Sequence, residues 1–250
     1  MTYTAEDIIE ALTQLRNEEQ RQVLCRFFKT GKGEYGEGDQ FLGLKVPQTR
    51  SVARMAKLHV PPEEIKRLLY SPWHEVRLCG FLLLVEEMKA ALPRKGRADG
   101  GAPRRREIAY FYLAHARQAN NWDLVDLSCP YIIGQWLWYT ADDGAETVLD
   151  RLAQSSDLWE QRIAIVSTMM LIRHGRFGDA LRISLKLLDH PHDLIHKAVG
   201  WMLREVGKRD ATLLREFLAA NYSCIHRTTL RYAIEKFSPA ERCQWLNYNK

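Results

Sequence analysis

Residues 156–172, SDLWEQRIAIVSTMMLI, hold the pattern on which the fold turns. A serine opens the segment, a basic residue, Arg162, stands six positions later, and an apolar run follows. The same design returns in PHDLIHKAVGWMLREVG (191–207), which places Lys197, and in SPWHEVRLCGFLLLVEEM (71–88), which places Arg77. Lys197 lies 35 residues after Arg162, and Arg231 in HRTTLRYAIEKF lies 34 further on. A period of this length predicts stacked helical hairpins. Each hairpin cannot bury its apolar face alone, so neighbours stack into a curved solenoid whose second helices line a concave surface, with equivalent positions forming a column along it.

Outside these segments apolar residues again recur at spacings of three and four, as in Ile8, Ile9, Leu12 and Leu15 after a Thr4 cap with Glu6 and Asp7 in the first turn. PPEEIKRLLY (61–70) and SPAERCQWL (238–246) begin with the prolines and acids that suit a helix N-terminus. No stretch alternates as a strand does. The expected fold is all-α, one helical-repeat domain over residues 1–250.

With 250 residues, 46% of them hydrophobic, the chain can bury a substantial core. Its net charge of +5 allows an acidic partner without requiring one, so the distribution of charge decides. The five cysteines are widely spaced with no CxxC pair, which argues against a disulfide framework or a cysteine zinc site. MTYTAEDIIEALTQL has no basic, apolar leader pattern, and no later run of eighteen apolar residues occurs, so a cytoplasmic protein without membrane association is expected.

Two segments interrupt the pattern. TGKGEYGEGDQ (30–40) has four glycines but lacks the order of a phosphate loop and contains three acids, so it reads as a flexible inter-helix loop. PRKGRADGGAPRRR (93–106) has six basic residues and one acid and reads as an exposed basic loop, either a tether or a nucleic-acid contact.

The segment NNWDLVDLSCPYIIGQWLW (120–138) has the apolar spacing of a buried helix. Laid on the common register it puts Asp126 in the column between Arg77 and Arg162, the basic insertion accounting for the longer gap before it. A column of cations neutralises a phosphate backbone, and a carboxylate within it would repel that backbone. Asp126 therefore either pairs with a neighbour such as Arg162 or Arg77, or does chemistry. Trp122 lies four residues before Asp126 and Trp201 four after Lys197, so each shares a helix face with a charged residue. Trp73, Trp136, Trp138, Trp159 and Trp245 are expected in the core. His190, His192 and His196 lack the glutamate of a zinc helix motif and read as surface or capping residues, so no metal is expected.

NWDLVDLSCPYIIGQWL, LWEQRIAIV and IHKAVGWMLREVGK together resemble the AlkD-type DNA alkylation repair glycosylases, which are built from HEAT-like repeats, and FFKTGKGEYGEGDQFLGLKVPQTR (27–50) is similar to the N-terminal part of that family. The resemblance implies a right-handed superhelical solenoid with a concave basic groove. It implies that Asp126 is the catalytic carboxylate, that Trp122 and Trp201 pack against the damaged nucleotide, and that Phe27 completes the cleft with a ring lacking a hydroxyl. It also implies that Arg162 holds backbone phosphate. Lys197, Arg77 and Arg231 of the column, and Arg50 closing the N-terminal segment, are the further backbone-binding candidates. Asn121 stands where the family suggests another aromatic. The expected activity is hydrolysis of the N-glycosidic bond of cationic purines of the 3-methyladenine or 7-methylguanine type, in duplex DNA, by a monomer with no cofactor, without a base-flipping pocket. No Schiff-base lysine stands beside the acid, which favours base release without strand cleavage. The competing expectation is a non-catalytic helical-repeat module that binds DNA or another protein.

Overall fold

In the computed structural model the described residues are 2–94, 99–140 and 144–248, the side chains of 144–146 excepted. They are helical throughout, with no strand among them; Gln40 and Trp73 form an isolated parallel bridge. The chain packs as two compact units, Met1–Ile132 and Ile133–Lys250.

The first unit contains α1 (Ala5–Thr13), α2 (Glu18–Phe27), α3 (Val46–Ala56), α4 (Pro62–Leu69), α5 (His74–Ala90), α6 (Ala102–Ala114) and α7 (Trp122–Asp126). Helix α5 is its centre, buried along most of its length and packed by α1, α3, α4, α6 and α7. A helix that is apolar nearly all round is stable only when covered on every side, which explains why α5 needs so many neighbours. Helix α1 begins with the capping box anticipated at Thr4, whose Oγ1 accepts the Asp7 N–H at 3.3 Å while Asp7 accepts the Thr4 N–H at 2.7 Å.

The second unit contains α8 (Gln135–Tyr139), α9 (Gly144–Ala153), α10 (Leu158–Arg173), α11 (Gly178–Leu187), α12 (Asp193–Gly207), α13 (Ala211–Asn221), α14 (Arg227–Ala233) and α15 (Pro239–Leu246). Helices α10, α12 and α14 pack in succession, while α9 and α11 pack on each other and on that row and α13 packs on α12. Gly200 lets α12 and α14 approach: a Cβ there would lie 2.5 Å from Tyr232 Cβ and 2.6 Å from the Thr229 carbonyl oxygen.

The shared register has a physical origin in helix caps. Asn121, Asp157, His192 and His226 are the N-caps of α7, α10, α12 and α14, each accepting a first-turn N–H through its side chain. Asp126, Arg162, Lys197 and Arg231 all stand five positions after their cap. In α5 the cap is Trp73, so Arg77 stands one position earlier in its helix than the others do in theirs.

Two expectations are corrected. Residues 120–138 do not form one helix: α7 ends at Asp126, a π-type turn follows at Pro130–Gly134, and α8 begins at Gln135. Pro130 has no N–H to continue an α-helical ladder. Of the basic segment 93–106, residues 95–98 lie outside the described residues, and 102–106 form the start of α6 and not a loop. Arg105 is buried there, with its guanidinium on the Ala91 carbonyl oxygen at 2.9 Å and on both oxygens of Asp99.

Trp136, Trp159 and Trp245 are buried as expected. Trp73 and Trp138 are half-buried, the first under the Arg16 guanidinium and the second stacked on His174 with centroids 4.1 Å apart. All five cysteines are free thiols. Among the described residues no helix is long and apolar enough to cross a membrane.

Candidate active-site cleft

The first unit contains a cleft of about 450 Å³. Phe27, Phe28, Phe41 and Trp122 line it with His74 and Asp126, so aromatic rings and a carboxylate share one wall. Helix α7 carries two of these groups. Its five residues are tied at both ends: Asn121 Oδ1 accepts the Trp122 N–H at 2.9 Å, and at the other end Ser128 Oγ donates to the Leu124 carbonyl oxygen at 2.5 Å. The buried Tyr112 hydroxyl lies 3.0 Å from Ser128 Oγ, and burial holds that phenol well above its ordinary pKa. Trp122 and Asp126, four residues apart, therefore leave α7 on one face.

The aromatic wall is a continuous stack. Phe41 lies on His74 at 4.5 Å between centroids, Phe28 on Phe41 at 5.1 Å, and Trp122 on Phe28 at 5.3 Å, with interplanar angles near 20° throughout. Phe27 meets Trp122 edge-on at 5.9 Å and is 59% exposed, so the stack ends in a ring open to solvent. Offset stacking and edge contacts of this kind add about 0.5–1.5 kcal/mol per pair beyond area burial.

Beneath the stack lies a buried charge network. His74 Nδ1 is 2.7 Å from Asp39 Oδ2 and its Nε2 is 2.9 Å from Asp123 Oδ2. Two carboxylate acceptors require a donor on each ring nitrogen, which only the imidazolium provides. Burial alone would lower the His74 pKa; the Asp123 charge and the hydrogen bonds to both acids outweigh it and raise the value to about 9. The other Asp39 oxygen accepts from Arg77 at 2.6 Å. Burial pushes the Asp39 carboxyl upward, and its bonds and charge contacts with His74 and Arg77 hold it below its ordinary value nonetheless.

Glu75 fixes the segment that follows Phe41. Its buried carboxylate accepts the N–H groups of Leu42, Gly43 and Leu44 at 2.9, 2.9 and 3.0 Å, fastening the segment that brings Phe41, Leu44, Val46 and Pro47 to the cleft. Gly43 has φ +91°, and a Cβ on it would lie 1.9 Å from the Asn17 carbonyl oxygen.

Of the residues singled out by sequence, Phe27, Trp122 and Asp126 line this cleft. Arg77 does not serve as a surface cation. It is 4% exposed, and its guanidinium is taken up by Asp39 and the carbonyl oxygens of Ser71 and Pro72, so neither phosphate contact nor a pairing with Asp126 describes it. The Asp39 carboxylate and the Ser71 and Pro72 carbonyl oxygens hold it inward. Arg50, half-buried on α3, lines a smaller cleft of about 130 Å³ with Arg54, Lys89 and Tyr131. In the second unit, Arg162 is buried and donates to the Leu194 carbonyl oxygen at 2.6 Å. Lys197 pairs with Asp193 at 2.7 Å, Trp201 is half-buried on α12, and Arg231 is exposed on α14. His192 caps α12 through Nδ1.

Sequence reasoning missed His74, Asp39, Asp123, Glu75, Phe28 and Phe41. The available signal was WD at 122–123 and HE at 74–75: polar residues in the first turns of helices whose remaining faces are apolar, and so polar groups that need partners once buried.

Residues 8–237 match the family described as DNA alkylation repair enzyme. A solved structure described as a predicted DNA alkylation repair enzyme from Enterococcus faecalis aligns with a TM-score of 0.66 over 90% of this chain and 97% of that one, at 16% identity, a likeness of fold. No curated protein matches the chain. With the family match spanning nearly its whole length, this chain belongs to the DNA alkylation repair enzyme family.

Proposed function

We propose that the protein is a monofunctional DNA glycosylase that releases cationic alkylated purines, of the 3-methyladenine or 7-methylguanine type, from duplex DNA. The observation that carries this reading is the placement of Asp126 on an aromatic cleft wall beside Trp122 and Phe27. An alkylated purine ring nitrogen leaves the base positively charged, so the base departs without protonation. What the reaction requires is stabilisation of the positive charge that develops on the sugar.

In this reading the C1′–N bond breaks with its electron pair passing to the base, which leaves neutral. Asp126 faces the oxocarbenium-like sugar and orients a water whose oxygen bonds to C1′, the proton going to the carboxylate or to solvent. The faces of Trp122 and Phe27 attract a cation by about 0.5–2 kcal/mol each, which favours the charged lesion over neutral bases. The product is an abasic site on an intact strand. Trp201 and Arg162 are assigned to the lesion and its phosphate on the family resemblance, with Lys197, Arg231 and Arg50 as further backbone contacts. Arg77 is left out because its charge is used internally. A HEAT-like solenoid acting as a monomer in the cytoplasm completes the proposal.

The experiment is release of free base from methylated duplex DNA by wild type and by Asp126→Asn, with duplex affinity measured for both. Loss of release at retained or tighter binding supports the assignment. A wild type that binds duplex and releases nothing sinks it in favour of a binding module.

A further inference from the structure

Helix α7 is too short to hold its own direction. Isolated helices below about 12 residues are marginal in water, and α7 has five, ending at the residue assigned to catalysis. Its end ties, at Asn121 and Ser128, fix where the helix starts and stops, and its rotation about its own axis needs an off-axis anchor. Asp123 supplies one. It is 4% exposed, stands on the second residue of α7, and its Oδ2 is gripped by His74 from α5.

We propose that His74 is a positioning residue for Asp126: by holding Asp123 it sets the rotation of α7, and with it the direction of Asp126 and Trp122. The assignment rests on the glycosylase reading above. Three observations converge on it. The ring of His74 touches both Phe41, at 4.5 Å, and Phe28, at 5.0 Å, and Phe28 stacks on Trp122, so one side chain braces α7 both through a hydrogen bond and through the rings. Asp123 and Asp126 are three residues apart, neighbours on a helix, and a second carboxylate without a counter-cation would disfavour ionisation of the first. The imidazolium offsets that conflict by pairing with Asp123.

The third observation concerns the glycine-rich segment 30–40, which has no phosphate-loop order. Its penultimate residue is Asp39, the acceptor for the second ring nitrogen. The segment thus delivers the carboxylate that keeps His74 doubly protonated, while Arg77 secures the other oxygen of Asp39. The charged groups around His74 are Asp39 from this segment, Asp123 and, one turn on, Asp126 from α7, and Glu75 and Arg77 from its own helix.

The test is single-turnover base release and duplex affinity for wild type, His74→Gln, Asp123→Asn and the double variant, from pH 6 to 10. Release by each single variant is expected to fall about tenfold or more, as misplacement of a reacting group costs, with duplex affinity within about twofold of wild type. The double variant is expected to be no slower than the slower single, because both changes remove one interaction. The ratio of wild-type to His74→Gln rates, in which titration of the substrate cancels, is expected to fall as pH rises through about 9, where the folded His74 loses its proton. Circular dichroism at each pH keeps loss of fold apart from loss of rate. Variants that melt earlier yet release base at the wild-type rate overturn the positioning role alone. A wild type that releases no base overturns both this role and the glycosylase reading. Should His74→Gln fail to fold, the Asp123→Asn rate decides, unchanged release overturning the proposal.

Discussion

Phe28 is sandwiched between Trp122 and Phe41, its ring centroid 5.3 Å from one and 5.1 Å from the other. The indole expected to meet substrate is therefore supported from behind by a residue 6% exposed. Phe28→Ala should cost about 3–5 kcal/mol of stability, as other large-to-small aromatic truncations do. Phe27→Ala, at an exposed ring, should cost less than about 1 kcal/mol. Thermal melts of the two variants separate support from contact, and base release should fall in Phe27→Ala even though its melting is near normal.

The segment held by Glu75 gives a second contrast. Glu75→Gln loses one acceptor oxygen and turns an NH2 toward backbone N–H groups. That should cost about 1–3 kcal/mol, the penalty for leaving buried donors unsatisfied. Gly43→Ala combines a clash with the Asn17 carbonyl and an unfavourable positive φ, and should cost at least about 1–3 kcal/mol. Chemical denaturation of both variants checks the order of magnitude.

Arg77 and Arg231 are the same residue type at related positions in their helices, with opposite fates. Arg77→Leu leaves one oxygen of the buried Asp39 carboxylate without its donor while His74 keeps the other, and should destabilise by about 1–3 kcal/mol. Arg231→Ala should leave stability within about 0.5 kcal/mol and, if Arg231 meets phosphate, reduce the slope of log affinity against log salt by about 1. Denaturation and salt-titrated duplex binding read these out separately.

The buried network also sets a pH window for stability. Asp39 has a folded pKa below its ordinary 3.8, so its contribution is present above that value and is lost as pH falls through the lower folded one. His74 is raised from 6.5 to about 9, so its contribution is complete below pH 6.5 and fades as pH rises to about 9. The contribution of this network should be level between pH 3.8 and 6.5, and melting temperature should decline from there to about pH 9, that decline being absent in His74→Gln. An alkaline fall of equal size in that variant would assign the effect to other groups.

Much of the helical design was legible because caps and period are local. Thr4, Ser238 and the prolines at 62 and 239 announce helix starts within a few residues of the apolar positions they serve. The six-residue step from an opening Ser, Pro or Asn, together with the repeat period, puts Asp126, Arg162, Lys197 and Arg231 in one column by counting alone. What counting could not supply was burial. Arg77 and Arg231 look alike until Asp39 arrives from 38 residues upstream to take the first inward. His74 is likewise joined to Asp39 across 35 residues and to Asp123 across 49, pairings that depend on how helices pack. The break in 120–138 falls at Pro130, whose missing N–H interrupts the ladder that the apolar spacing on either side suggests.

The grip of Glu75 on three successive main-chain N–H groups carries a consequence for how the cleft tolerates change. Because the carboxylate holds backbone, the path of that wall is independent of which side chains hang from it. Leu44 is part of the core and is fixed by packing, whereas the less buried Val46 and Pro47 are the lining positions at which an exchange is expected to change the surface of the cleft and not its course. The course of the wall and the surface it presents are thus set by different groups, a frame of main chain bolted to one carboxylate and a lining that hangs from it.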